Sequence, residues 1–179
     1  TKRFKFEALQ VERQIENNVL SIIEDDAIII KSKELLNLAN STFFAQGNPI
    51  QIVQTGEMET IAFAMLRNVD AIVVDERITR LLIENPEDLK SLLERRLHTR
   101  ITVDKNKLKN FQEQVRHISL IRSIELVAIA YELGFLDEYI VDVPKAKQEL
   151  LESILWGVKL NGCSVSEEEI KQIMNIELR

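Results

Sequence analysis

A chain of 179 residues, 45% hydrophobic and 29% charged, has room for one domain with a sizeable core. Its net charge of −6 argues against a surface that binds nucleic acid everywhere, but leaves room for a local basic strip. One cysteine excludes an intramolecular disulfide or a thiolate metal cluster, and no apolar run approaches the roughly 18 residues that span a bilayer.

Phe4 to Leu20 has apolar residues at helical spacing (Phe6, Leu9, Val11, Ile15 and Leu20) among polar ones, which predicts an amphipathic helix. The stretch DDAIIIKSKELLNLA predicts a short strand at Ile28–Ile30, Ser32 as N-cap and a helix from Lys33. GNPIQIVQTG reads as a turn and a strand from Ile50 to Val53, and a helix follows from Glu57 to Arg67. The apolar run in VDAIVVD predicts a strand buried on both faces, as in a parallel sheet. A short helix from Ile78 to Glu84 comes next.

Asn85-Pro86-Glu87-Asp88 is a helix start: an N-cap, Pro at the first position, then acids in the first turn. That helix should reach about Leu97. HTRITVDKN holds a short strand, and Lys105 to His117 a polar helix. Ser119 to Leu133 reads as one helix stopped by Gly134. EYIVDVP suggests a strand, Pro144 opens a helix ending at Gly162, and Ser166 with Glu169 forms a capping box for the last helix. Strands alternating with helices predict an α/β layered domain with a helical last third. Five glycines and three prolines leave no room for long linkers, so one domain over residues 1–179 is expected.

The acids around the central strand carry the chemistry. Glu57 opens a helix, and Glu59 lies about half a turn from it. Asp75 and Glu76 follow Ala71–Val74 at the carboxyl end of the strand, where open α/β sheets put their ligand sites. Strand side chains alternate faces, so only one of Asp75 and Glu76 should meet Glu57 unless the chain bends there. A structural explanation stands beside this. Acids in a first helical turn favour the positive end of the dipole by about 0.3–1 kcal/mol each, and Asp75 can cap the helix beginning near Arg77. Convergent carboxylates would instead suit a hard divalent cation such as Mg²⁺, which can activate water against a phosphodiester. His98 and His117 lack zinc-ligand spacing, and no P-loop, dinucleotide fingerprint or nucleophile elbow is present.

The segment GEMETIAFAMLRNVDAIVVDERITRLL resembles the centre of PIN-domain proteins, a superfamily of Mg²⁺- or Mn²⁺-dependent ribonucleases. Gly56, Glu57, Glu59, Ile61, Ala62 and Ala64 fit its first part; Asp70, the Ala71–Val74 run, Asp75, Glu76 and Arg77 fit its second. VAIAYELGFLDEY and LESILWGVKLNGCSVSEEEIKQIM are similar to the later helices of a poorly characterised prokaryotic subgroup. The resemblance runs from Gly56 to Met174, with an insertion over about Glu87–Lys109 and a C-terminal helix pair over about 144–179. It implies a three-layer α/β/α fold around a central parallel sheet. It also implies a catalytic acidic pocket in which Glu57 and Asp75 or Glu76 hold Mg²⁺ or Mn²⁺, with Glu59 as a neighbour. Ser123 sits near a further polar contributor of the family.

The chain departs from the family in one respect. The family's first catalytic Asp ends an N-terminal strand, and none is visible here: Asp25 and Asp26 precede their strand, and Asp142 falls before a helix. The chain opens Thr1-Lys2-Arg3 rather than with Met, so the strand is expected upstream of Thr1; otherwise it has been lost and the domain is inactive.

A nuclease needs local positive charge to hold phosphates. Arg77 and Arg80 flank the acids, while Arg95, Arg96, Arg100, Lys105 and Lys107 crowd the insertion; a solvated helical face would have the same composition. Three readings result: a PIN-like endoribonuclease acting on RNA in the reducing cytoplasm, a catalytically silent module binding RNA or a protein partner, and a structural homodimer. None involves a membrane.

Overall fold

The computed structural model describes residues 5–178. Its architecture corrects the expected three-layer α/β/α fold with a central parallel sheet. No strand exceeds three residues, and the strands form two separate small sheets among nine helices of the described residues.

The first helix, α1 (Lys5–Glu16), buries none of its residues; Phe4 of the predicted helix lies outside the described residues. The Ile run expected as a strand belongs to α2 (Asp26–Asn40), because Asp25 caps a helix there by accepting the Ala27 N–H at 2.9 Å. Its inner face is Ile28, Leu35 and Ala39, while Ile29 and Ile30 point outward. β1 (Phe43–Ala45) and β2 (Asn48–Pro49) form a hairpin whose turn residues Gln46 and Gly47 both have positive φ, the conformation that matches the twist of paired strands. Ile50–Val53, expected as a strand, joins no sheet. The Asn40 side chain takes its backbone instead: Oδ1 accepts from Ile52 and Val53 N–H, and Nδ2 donates to the Val53 carbonyl.

α3 (Thr55–Arg67) packs on α2 through Met58, Ile61, Ala62 and Ala64. β3 (Ala71–Val73) is one residue shorter than the apolar run Ala71–Val74, and Val73 is exposed rather than buried on both faces. α4 (Arg77–Glu84) and α5 (Pro86–Leu97) follow, α5 capped by Asn85 as its sequence indicates. β4 (Ile101–Val103) pairs antiparallel with β1, and α6 (Lys105–Val115) is capped by Asp104.

The expected helix from Ser119 is split. β5 (Ser119–Ile121) runs parallel to β3, tied by Ser119 N–H to the Asp70 carbonyl and Val74 N–H to the Ile121 carbonyl, both at 2.8 Å; α7 (Ser123–Glu132) starts only after it. Gly134 stops that helix at φ 74°. The expected EYIVDVP strand is a 3-10 turn at Asp137–Tyr139 leading to exposed Val141 and Val143. α8 (Ala146–Leu160) and α9 (Glu167–Glu177) close the chain, and α9 carries the expected Ser166–Glu169 capping box.

Two cores result. Phe43, Phe111, Leu35, Met58, Ile61, Leu82, Leu89 and Ile101 are fully buried in the first. Ile124, Leu151, Leu155, Cys163, Val165 and Ile170 form the second, among α7, α8 and α9. Each large side chain contributes about 1.5–3 kcal/mol by leaving water. Among the described residues, no helix is long and apolar enough to cross a membrane.

Candidate functional site

The parallel pair β3–β5 ends beside a cleft of about 520 Å³ lined by Gln54, Thr55, Gly56, Glu57, Thr60, Val73, Val74, Asp75 and Glu76. Three of the acids singled out by sequence therefore line one cleft. The strand stops at Val73, so the alternation that would send Asp75 and Glu76 to opposite faces no longer applies, and both reach the cleft. Glu59 does not. It lines another cavity, of about 830 Å³, with Glu24, Asp25 and Asp26.

Each of the three acids also caps a helix. Glu57 Oε2 accepts the Gln54 N–H at 3.2 Å, at the start of α3. Glu76, not Asp75, caps α4, accepting the Thr79 N–H at 2.6 Å. Asp75 serves a remote helix: Oδ1 accepts the Ser123 N–H at 2.8 Å and Oδ2 the Ser123 hydroxyl at 2.6 Å, at the first turn of α7. The Cys163 thiol donates to the same carboxylate, and Ser164 N–H donates to the Asp75 carbonyl at 3.3 Å. Burial pushes the Asp75 carboxyl up, but the hydrogen bonds from Ser123 and Cys163 and the nearby Arg122 outweigh it, leaving it below the ordinary range. Burial and Asp75 together push the Cys163 thiol up to about 11, so this cysteine is a proton donor rather than a nucleophile.

Among the described residues, no group of three His, Cys, Asp or Glu side chains stands close enough to hold an ion in an all-protein cage. Glu57 and Glu76 nevertheless keep one carboxylate oxygen each without a hydrogen-bond partner among the described residues. That donor set fits Mg²⁺ or Mn²⁺, hard cations that take one or two carboxylates and keep several waters. It does not fit zinc, which wants three or four closed N or S ligands.

The basic residues separate into two groups. Arg95, Arg96 and Arg100 are exposed around the end of α5, Lys105 is exposed at the start of α6, and Lys107 donates to the Ser41 carbonyl at 3.3 Å. Arg77 and Arg80 line a different cavity, of about 550 Å³, with Arg122 and Lys159. Arg122 and Lys159 escaped the sequence reading because they come from the β5–α7 junction and from α8, remote in sequence from the acids. Ser123 was the one local hint. Arg122 forms ion pairs with Glu125 at 2.8 Å and Glu169 at 2.7 Å. Burial would raise the Glu169 carboxyl, but the Ser166 N–H and Arg122 pull it down to about 2.

The chain matches no protein-family model, no curated protein and no solved structure at a significant level.

Proposed function

We propose that the chain is a PIN-like module acting on RNA, a Mg²⁺- or Mn²⁺-dependent endoribonuclease of the reducing cytoplasm. One observation supports this above the rest: Glu57, Asp75 and Glu76 line a single cleft at the carboxyl end of a parallel strand. Glu57 and Glu76 are the residues that would hold the ion. Bound there, it would supply an activated water and neutralise charge on the phosphodiester. Asp75, held ionised by Ser123 and Cys163, adds a fixed negative charge beside them. Arg77, adjacent in sequence to Glu76, and Arg80 one turn on bring positive charge for phosphate oxygens, and Arg95, Arg96, Arg100, Lys105 and Lys107 extend it along the chain.

The experiment is a pair of measurements on the same preparation. Mn²⁺ titration followed by NMR line broadening should single out residues 54–60 and 73–76, and Glu57→Gln with Glu76→Gln should abolish it. Gel analysis of labelled RNA should show cleavage with Mg²⁺ or Mn²⁺ and none with EDTA. Unbroadened resonances at millimolar Mn²⁺ would end the catalytic reading. A binding-only module is the second reading, favoured because each of the three carboxylates already accepts a backbone N–H. RNA binding that persists in Glu57→Gln, without cleavage under any metal condition, would select it.

A further inference from the structure

The cavity of about 550 Å³ beyond the acidic cleft has a wall with four cations, Arg77, Arg80, Arg122 and Lys159, against one carboxylate, Glu169. Their partners decide what charge remains. Arg122 is a strut: its side chain is only 16% exposed and its guanidinium is spent on Glu125 and Glu169. Arg80 is held by Glu84 at 3.5 Å, a loose contact. Arg77 and Lys159 have no carboxylate partner among the described residues; Lys159 Nζ rests on the Val165 carbonyl at 2.6 Å, over the Trp156 ring. The Ser164 hydroxyl, on the same wall, has no hydrogen-bond partner among the described residues. Two unneutralised cations, a half-engaged arginine and a free hydroxyl thus line one half-open pocket.

We infer that this cavity binds the terminal phosphomonoester of a nucleotide. A guanidinium and an ammonium converging from two elements suit a tetrahedral dianion with several acceptor oxygens. The volume lies in the range of small-molecule sites and exceeds what a bare phosphate fills. Leu81 and Val165 give it an apolar side for the rest of the nucleotide. The site is tied to the acidic cleft by bonds between their linings, although no residue lines both. Cys163 and Ser164 line the basic cavity and hydrogen-bond Asp75, while Arg77 follows Glu76 in the chain. A phosphorylated RNA end seated here places the rest of the strand beside Glu57 and Glu76. That the nucleotide is an RNA end, not a free mononucleotide, rests on the function proposed above; the anion site does not.

The lone tryptophan of the chain, Trp156, reports on the site because Lys159 Nζ lies 5.7 Å from its ring centre. Titration in EDTA with ribose 5-phosphate, read by Trp156 fluorescence, should saturate, while ribose should not. By fluorescence anisotropy, RNA oligonucleotides carrying a 5′- or 3′-terminal phosphate should bind at least about tenfold tighter than the same oligonucleotides with hydroxyl ends. Arg77→Ala and Lys159→Met should each erase most of that preference. Arg77→Ala, at an exposed side chain without an ion pair among the described residues, should leave thermal melting unchanged, while Lys159→Met, which gives up the bond to the Val165 carbonyl, should lower it only slightly. AMP competing as well as the phosphorylated oligonucleotide marks free nucleotide as the source; much weaker competition marks an RNA end. Equal binding of phosphorylated and hydroxyl oligonucleotides, or a preference that survives both substitutions, overturns the inference. Because EDTA is present and Glu57→Gln should leave the preference intact, this outcome is independent of whether the acidic cleft cleaves RNA.

Discussion

Replacing Asp75 with asparagine separates two roles that one carboxylate can have. As a cap, Asp75 accepts the Ser123 N–H at 2.8 Å and the Ser123 hydroxyl at 2.6 Å, and it accepts the Cys163 thiol as well. Asparagine keeps one oxygen for the Ser123 N–H and turns an amine toward the hydroxyl, which can rotate to accept. The thiol then loses its acceptor, and both Ser123 contacts lose their charge. Hydrogen bonds to a charged group are worth roughly 1 kcal/mol more than neutral ones, so two of them give a loss of about 2 kcal/mol. For a chain of this length that is a fall of about 4–8 °C in Tm. Urea unfolding followed by circular dichroism at pH 7 measures it directly. The pH dependence carries the sign. The carboxyl lies below its ordinary value in the folded state, so its contribution is complete above the unfolded pKa and disappears as the pH falls through the folded one. Wild type and Asp75→Asn should therefore converge in acid. An asparagine variant as stable as wild type at pH 7, or more stable, would refute the cap; carboxylates massed for a cation often gain stability when neutralised.

Thr79 is fully buried and its hydroxyl has no partner among the described residues, so Thr79→Val should raise stability by about 1 kcal/mol in the same urea assay. Glu169 titrates near 2 in the fold, so stability should fall between pH about 4.5 and 2, and Glu169→Gln should flatten that acid limb. With 40% of its side chain exposed, the pair with Arg122 warrants only about 1 kcal/mol. The Cys163 thiol, buried and raised to about 11, should resist iodoacetamide at pH 8 and react at once in urea; its contribution to stability should be complete below about pH 9 and fade toward 11.

What the sequence disclosed was local. Asn85-Pro86, Ser166 with Glu169, and Gly134 mark helix ends through bonds to residues three or four away, and all three fall where expected. The Ile28–Ile30 run misled because β-branched residues suggest a strand, whereas an Asp25 cap and the buried face of Ile28, Leu35 and Ala39 make a helix. Ile50–Val53 misled for another reason: Ile50 N–H still reaches the Phe43 carbonyl of β1, but beyond it the Ile52 and Val53 backbone is taken by one side chain, Asn40, in place of a strand. At the site, a strand end meeting a helix start made it legible that one carboxylate would join Glu57, but not that both Asp75 and Glu76 would, because the strand stops at Val73 before their side chains can alternate. The partners of Asp75 were not, since Ser123 lies 48 positions on. For the same reason Lys159 and Arg122 gave no sign that they stand with Arg77.

Asp75 leaves a strand of the first core, yet Ser123, Cys163 and Ser164, which fix it, all belong to the segment that builds the second. A chain emerging from the ribosome completes Glu57 and Glu76 early, while Asp75 has no assigned direction until α7 and the α8–α9 turn have docked. The cleft is thus finished last, and its charge is set by elements made more than forty residues after it.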